Sequence, residues 1–282
     1  MSPSSTPILL LPGSWHGAWC WNEVIAHLVP SGRPTLAVDM AGHGLRARRP
    51  ECLTIRPFDP EELATEVSPV ADVDLDQAAD LLVSQIERLG RGGPVTVVAH
   101  SMGGTVLTRV AQQVPELVAH AVYLAAVMPA SGSTAGRYFV LPENAGALVL
   151  PALRGDPDVT GALRLDLASN DPAYRRQLRD AFYGDVDPVV ADAALGLLTP
   201  DAPVSMMLGT TRLTRDGWGS VPRTYVVCAR DMAIRPALQR LFVAEADAAF
   251  PENPTAVVTL DSSHAPFLSV PGEVARIVGE LG

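Results

Sequence analysis

Lysine is missing from this chain; all 21 basic residues are arginine. A lysine Schiff base, a phosphate-loop lysine and a lysine general base are thereby excluded. Cysteine is scarce. Cys20, Cys52 and Cys228 are odd in number and spaced unlike a metal site, and Cys20 and Cys228 lie in apolar runs that suit buried thiols. No H-E-x-x-H element and no Cys/His cluster is present, so neither metal nor other cofactor is expected. Positive charge is in deficit, with 31 acidic residues against 21 basic and a net charge of −10. That argues against nucleic acid and anionic membrane as partners and points to a small-molecule substrate. No apolar run approaches the length of a membrane span. The opening Met-Ser-Pro-Ser-Ser-Thr-Pro has neither a charged start nor an apolar stretch, so it does not read as a secretory signal. The expectation is a cytoplasmic protein; nothing indicates its oligomeric state.

Short apolar runs, by contrast, recur along the 282 residues: 8–11, 35–38, 95–99, 121–127, 224–229 and 256–260. Nearly continuous hydrophobicity of this kind suits parallel strands covered on both faces. Helical patterns lie between them, at 18–28, 75–89, 102–113, 236–248 and 272–281. Strands alternating with helices predict an α/β fold with a mostly parallel sheet and helices on both faces. Two stretches interrupt the alternation. Residues 45–73 form a long, proline-containing connection. Residues 129–221 are too many for a plain loop and read as an inserted helical lid, with helical pieces at 173–182 and 188–198. The expected organisation is a core of 1–128 and 222–282 carrying that lid.

The run at 95–99 leads straight into Ala99-His-Ser-Met-Gly-Gly104, and a helical pattern follows. A serine on so sharp a strand-to-helix turn is a nucleophile elbow. The strained turn admits only small residues two positions before and two after, here Ala99 and Gly103. Ser101 is therefore the expected nucleophile, and it needs a base, an orienting acid and an oxyanion hole. The elbow resembles that of α/β-hydrolases, in which acid and then histidine follow the serine along the chain. Of six histidines only His264 lies beyond a late strand, and it is the expected base. Asp231, just after the 224–229 run, is the expected acid; Asp261, three residues before His264, is its rival. The backbone N–H groups of Met102 and of Ser14, in the loop Pro12-Gly-Ser-Trp-His-Gly17, are the expected oxyanion donors. His100 beside the serine reads as a packed neighbour, and His43 as the holder of a turn.

Beyond the elbow, four further stretches resemble one branch of the α/β-hydrolases. They are Pro12-Gly-Ser-Trp-His-Gly-Ala-Trp-Cys-Trp21, Tyr123-Leu-Ala-Ala-Val-Met-Pro129, Asp231 with Pro236 and Gln239, and the loop around His264. This is the branch of plant methylesterases, hydroxynitrile lyases and small bacterial esterases. The resemblance implies an α/β-hydrolase fold, a triad of Ser101, Asp231 and His264, and cleavage of a carboxylic ester or lactone through an acyl-enzyme. Three features depart from it. Pro12-Gly13 stands where the family usually has His-Gly, the 45–73 connection is long, and Ala265 occupies the position of the lysine that serves departing cyanide in the lyases. A C–C bond hydrolase or thioesterase with the same triad remains open, as does a non-hydrolytic lyase, a cyclase or a binder on the same fold. For the substrate pocket the expected residues are Trp15, His16, Met128, Tyr138 and Trp218, with Phe139, Met206 and Met207 beside them. Trp19 and Trp21 are expected in the core. An apolar or aromatic ester suits such a lining.

Overall fold

The computed structural model describes residues 6–281; most of the N-terminal stretch judged not to be a signal lies outside them. Six strands build one sheet in the order β2-β1-β3-β4-β7-β8, where β1 is Ile8–Leu11, β2 Thr35–Ala37, β3 Val95–His100, β4 Val118–Leu124, β7 Arg223–Cys228 and β8 Ala256–Leu260. All five pairings are parallel, with Leu9 opposite both Leu36 and Val97, and Val226 opposite both Leu124 and Val258. The central β1 and β3 are buried at every position, whereas the edge strands β2 and β8 are partly exposed. Each of the six strands overlaps one of the predicted apolar runs, although β4 begins and ends three residues before the run at 121–127.

Seven helices of seven residues or more accompany the strands: α1 Asn22–Leu28, α2 Leu75–Gly90, α3 Gly103–Gln113, α4 Pro172–Tyr183, α5 Pro188–Leu197, α6 Pro236–Ala249 and α7 Pro271–Gly279. α2 starts at a capping box between Asp74 and Gln77 and buries Leu75, Ala79, Leu82 and Ile86. Such a box satisfies two orphan donors at once. The pattern at 18–28 forms two pieces, a 3-10 turn Ala18–Trp21 and then α1. The Asp39 carboxylate takes the Ala18 N–H at 2.7 Å and fixes that entrance. From β1 the chain steps one way to β2 and then back across β1 to β3. With right-handed crossovers this reversal places α1 on one face of the sheet and α2, α3 and α6 on the other. α7 packs on α1. The crevice at such a reversal, at the carboxyl ends of the strands, is where open α/β sheets bind ligands. Here it lies between the loops that follow β1 and β3.

The long connection from β4 to β7 carries α4, α5 and a two-stranded antiparallel ribbon of β5 Ala162–Arg164 and β6 Asp201–Pro203. Three residues per strand leave too little periodicity to read from sequence, and the ribbon was not anticipated. It bears a fully buried ion pair, Arg164 Nε to Asp201 Oδ1 at 2.7 Å and Arg164 Nη2 to Asp201 Oδ2 at 2.8 Å. Arg164 Nη1 also donates to the carbonyls of Leu63 and Glu66, each at 2.8 Å. The connection at 45–73 is thus stitched onto the insertion. Near the end of the insertion the short helix Ser205–Leu208 packs on α2 and α3 while Met207 still faces the crevice, and the turn Trp218–Ser220 then returns along α3.

Candidate active site

Ser101 sits between β3 and α3 with φ of 52°. A non-glycine residue there costs about 1–3 kcal/mol and persists only where the surroundings hold it. Its carbonyl accepts from the N–H groups of Val127 at 2.9 Å and Gly104 at 3.1 Å. Two glycines permit the close packing around it. A Cβ on Gly13 would stand 2.4 Å from Ser101 Cβ, and one on Gly103 2.6 Å from the Pro12 carbonyl oxygen. Ala99 is fully buried.

His264, in the loop after β8, accepts the Ser101 Oγ–H at Nε2, 3.0 Å away. Its Nδ1–H donates to Asp231 Oδ2 at 2.8 Å. The carboxylate thereby selects the tautomer with a free Nε2 lone pair. Asp231, in the turn after β7, is itself held on every side. Its Oδ1 accepts from the backbone of Ala233 at 2.7 Å and Ile234 at 2.9 Å, and its Oδ2 from Gln239 Nε2 at 2.9 Å. Gln239, fully buried on α6, also accepts the Cys228 N–H. In the sequence it served only as a mark of resemblance, because nothing in a helical pattern tells which way one glutamine faces. The rival Asp261 is 84% exposed and pairs with Arg230 at the surface, away from the histidine ring.

Ser14 and Met102 both border the cavity above Ser101. Among the described residues, no carbonyl accepts the N–H of either. Trp15 follows with φ of 64°, held there by the cap: Thr199 N–H donates to its carbonyl at 2.8 Å, and its indole donates to the Leu163 carbonyl at 2.9 Å. The cavity is a narrow apolar slot. Phe139, Val149, Leu150, Leu163, Phe182 and Met207 line it from the insertion, and Trp15, Ala233 and Ile234 from the core. Its polar side chains are Ser14, Ser101 and His264.

Five of the residues expected in or beside the pocket lie elsewhere. His16 is buried behind the Ser14 loop; its Nδ1–H donates to the Ser14 carbonyl at 2.9 Å and its Nε2 accepts from Tyr183 Oη at 2.8 Å. Burial pushes its pKa down to about 3. Met128 belongs to the core, as does Met206. Tyr138 turns toward α6, where its hydroxyl meets Glu245 and its ring packs on Phe242. Its neighbour Phe139, about 100° further round the same helical turn, faces the cavity instead. The Trp218 indole donates to Tyr123 Oη at 2.8 Å beneath the returning chain, against Phe250 and Arg223. Large apolar side chains look alike in a sequence whether they line a pocket or fill a core. His100 donates from Nε2 to the His264 carbonyl at 2.8 Å, and burial holds its pKa well below the usual histidine value.

The Alpha/beta hydrolase family model matches residues 8–277. The chain belongs to this family. Among curated proteins it is 28% identical to Methylesterase 9 of Arabidopsis thaliana, over 94% of each chain. It is also 28% identical to a pyrethroid hydrolase of Sphingobium wenxiniae, over 98% of this chain and 87% of that one. Among solved structures, a pyrethroid hydrolase from Sphingobium faniae superposes with a TM-score of 0.75 at 22% identity, covering 98% and 97% of the two α/β hydrolase chains.

Proposed function

We propose that this α/β hydrolase cleaves carboxylic esters or lactones of small, largely apolar molecules, with Ser101, His264 and Asp231 as its catalytic triad. The carrying observation is the hydrogen-bonded series Ser101–His264–Asp231 opening onto an apolar cavity. Ser101 Oγ attacks the carbonyl carbon as His264 Nε2 takes its proton, and Asp231 stabilises the imidazolium that forms. The carbonyl oxygen gains negative charge and is met by the N–H groups of Ser14 and Met102. Collapse of this intermediate breaks the bond to the leaving oxygen, which takes the proton from His264. Water then enters, gives a proton to His264, and releases the acid from Ser101 by the same route in reverse. Methylesterase and pyrethroid hydrolase relatives support an ester substrate. An ionised substrate would find no countercharge against the apolar walls.

In this reading 129–221 works as a lid that selects the substrate, with 45–73 fastened to it. Phe182 and Leu163, rather than Tyr138 or Trp218, are the lid positions that would set acyl preference. The three unpaired cysteines suit a reducing, cytoplasmic setting, and no helix among the described residues is long and apolar enough to cross a membrane.

Mass spectrometry after treatment with a fluorophosphonate tests the mechanism. One adduct is expected on the protein and none on Ser101→Ala. Asp231→Asn should fold normally yet lose about three to four orders of magnitude in aryl-ester turnover, as wrong-tautomer substitutions do. An adduct surviving in Ser101→Ala would refute the assignment.

A further inference from the structure

The insertion touches the catalytic loops at one charged point. Two residues beyond the end of α4, Asp185 turns its carboxylate inward, with its side chain 8% exposed. Its Oδ2 accepts the Ser263 backbone N–H at 3.0 Å and an N–H of Arg230 Nη2 at 3.3 Å. Its Oδ1 accepts the Ser263 hydroxyl. Ser263 immediately precedes His264, and Arg230 immediately precedes Asp231. Arg230 spans the two loops as well. Its guanidinium donates to the Asp261 carbonyl at 2.6 Å, and its own N–H donates to the Ser262 carbonyl at 2.9 Å. The same end of α4 supplies Phe182 to the cavity wall and the Tyr183 hydroxyl to His16.

We propose that Asp185 is a positioning residue of this hydrolase: it latches the substrate-lining end of α4 to the loops that carry His264 and Asp231. The latch makes closure of that wall and alignment of the histidine a single event. It rests on the reading of Ser101, His264 and Asp231 as the triad. Two of its three hydrogen bonds go to Ser263, so they set the height of the His264 backbone above Ser101. A misplacement of about 1 Å at such a point costs on the order of a hundredfold in rate. A carboxylate that served only to solubilise the surface would not need burial against three donors from two separate loops.

The test follows the rate of Ser101 phosphonylation by a small fluorophosphonate together with aryl-ester kinetics and thermal melting, in Asp185→Asn, Ser263→Ala and the double variant. Asp185→Asn should slow both labelling and kcat by roughly ten- to a hundredfold, with KM within about twofold and the melting temperature within about 4 °C. The double variant should be no slower than Asp185→Asn alone, because both changes break the same link. Labelling of Asp185→Asn at the unaltered rate, a rise in KM alone, or multiplying effects in the double variant would overturn the latch and leave the triad standing. Should Asp185→Asn not fold, Ser263→Ala decides: slowed labelling supports the latch and an unaltered rate overturns it. Failure of the unaltered protein to label removes the triad reading and the latch with it.

Discussion

Asp231 holds four hydrogen bonds at once: two from backbone N–H groups, one from His264 and one from Gln239. The backbone pair fixes where the carboxylate lies. Gln239 fixes how it is turned, because it shares Oδ2 with the histidine. Gln239→Leu should therefore lower kcat by roughly tenfold or more while leaving KM nearly unchanged. The same change leaves the buried Cys228 N–H without its acceptor, and an unsatisfied buried donor costs about 1–3 kcal/mol. Steady-state kinetics and urea unfolding would read the two effects separately; unchanged kcat in a destabilised variant would confine Gln239 to a structural part. At this scale, legibility followed backbone geometry. The strained turn at Ser101 was legible because it excludes all but small neighbours, and the approach of the Ser14 loop to that serine because Gly13 permits it. Gln239, Leu163 and Phe182 were not, because their roles come from side-chain direction, which a single helical or apolar pattern does not encode.

The strands were legible as elements because a parallel sheet buried on both faces needs continuous apolar runs. The insertion was legible in its length and in α4 and α5, which lie where the helical patterns at 173–182 and 188–198 predict them, but not in its ribbon. Its β5–β6 ribbon is held by the Arg164–Asp201 pair rather than by hydrophobic periodicity. That pair has a consequence for the 45–73 connection. Asp201→Asn leaves the Arg164 charge buried with weaker compensation and should destabilise by about 3–5 kcal/mol. Arg164→Met should cost a similar amount and also release the carbonyls of Leu63 and Glu66. Limited trypsin digestion at Arg46 and Arg48, the arginines of this connection not followed by proline, separates the two. Cleavage there should speed up markedly in Arg164→Met and much less in Asp201→Asn. Equal cleavage in both would mean that the ribbon, and not the arginine, holds the connection in place.

For the molecule as a whole, three buried neutral histidines tie stability to pH. Burial pushes His16 down to about 3 and His43 to about 4, and holds His100 well below its ordinary value. Each ring also donates to a main-chain carbonyl, of Ser14, Ala41 and His264 respectively. In the unfolded chain all three titrate near 6.5. Above that value they are neutral in both states and contribute no pH dependence. As the pH falls below it, the unfolded chain takes up protons that the folded protein refuses. Stability is then lost by up to about 1.4 kcal/mol per pH unit for each histidine, until His43 begins to protonate in place near pH 4. Three such groups remove roughly 6 kcal/mol between pH 7 and pH 5, comparable with the whole stability of many domains. Urea unfolding across this range should show the midpoint dropping steeply, and calorimetry at pH 5 should show uptake of about three protons on unfolding. His43→Asn, away from the triad, should reduce that uptake by about one proton. A midpoint that stays level from pH 7 to pH 5 would contradict the neutral burial of these rings, and with it the tautomer in which His100 donates to the His264 carbonyl.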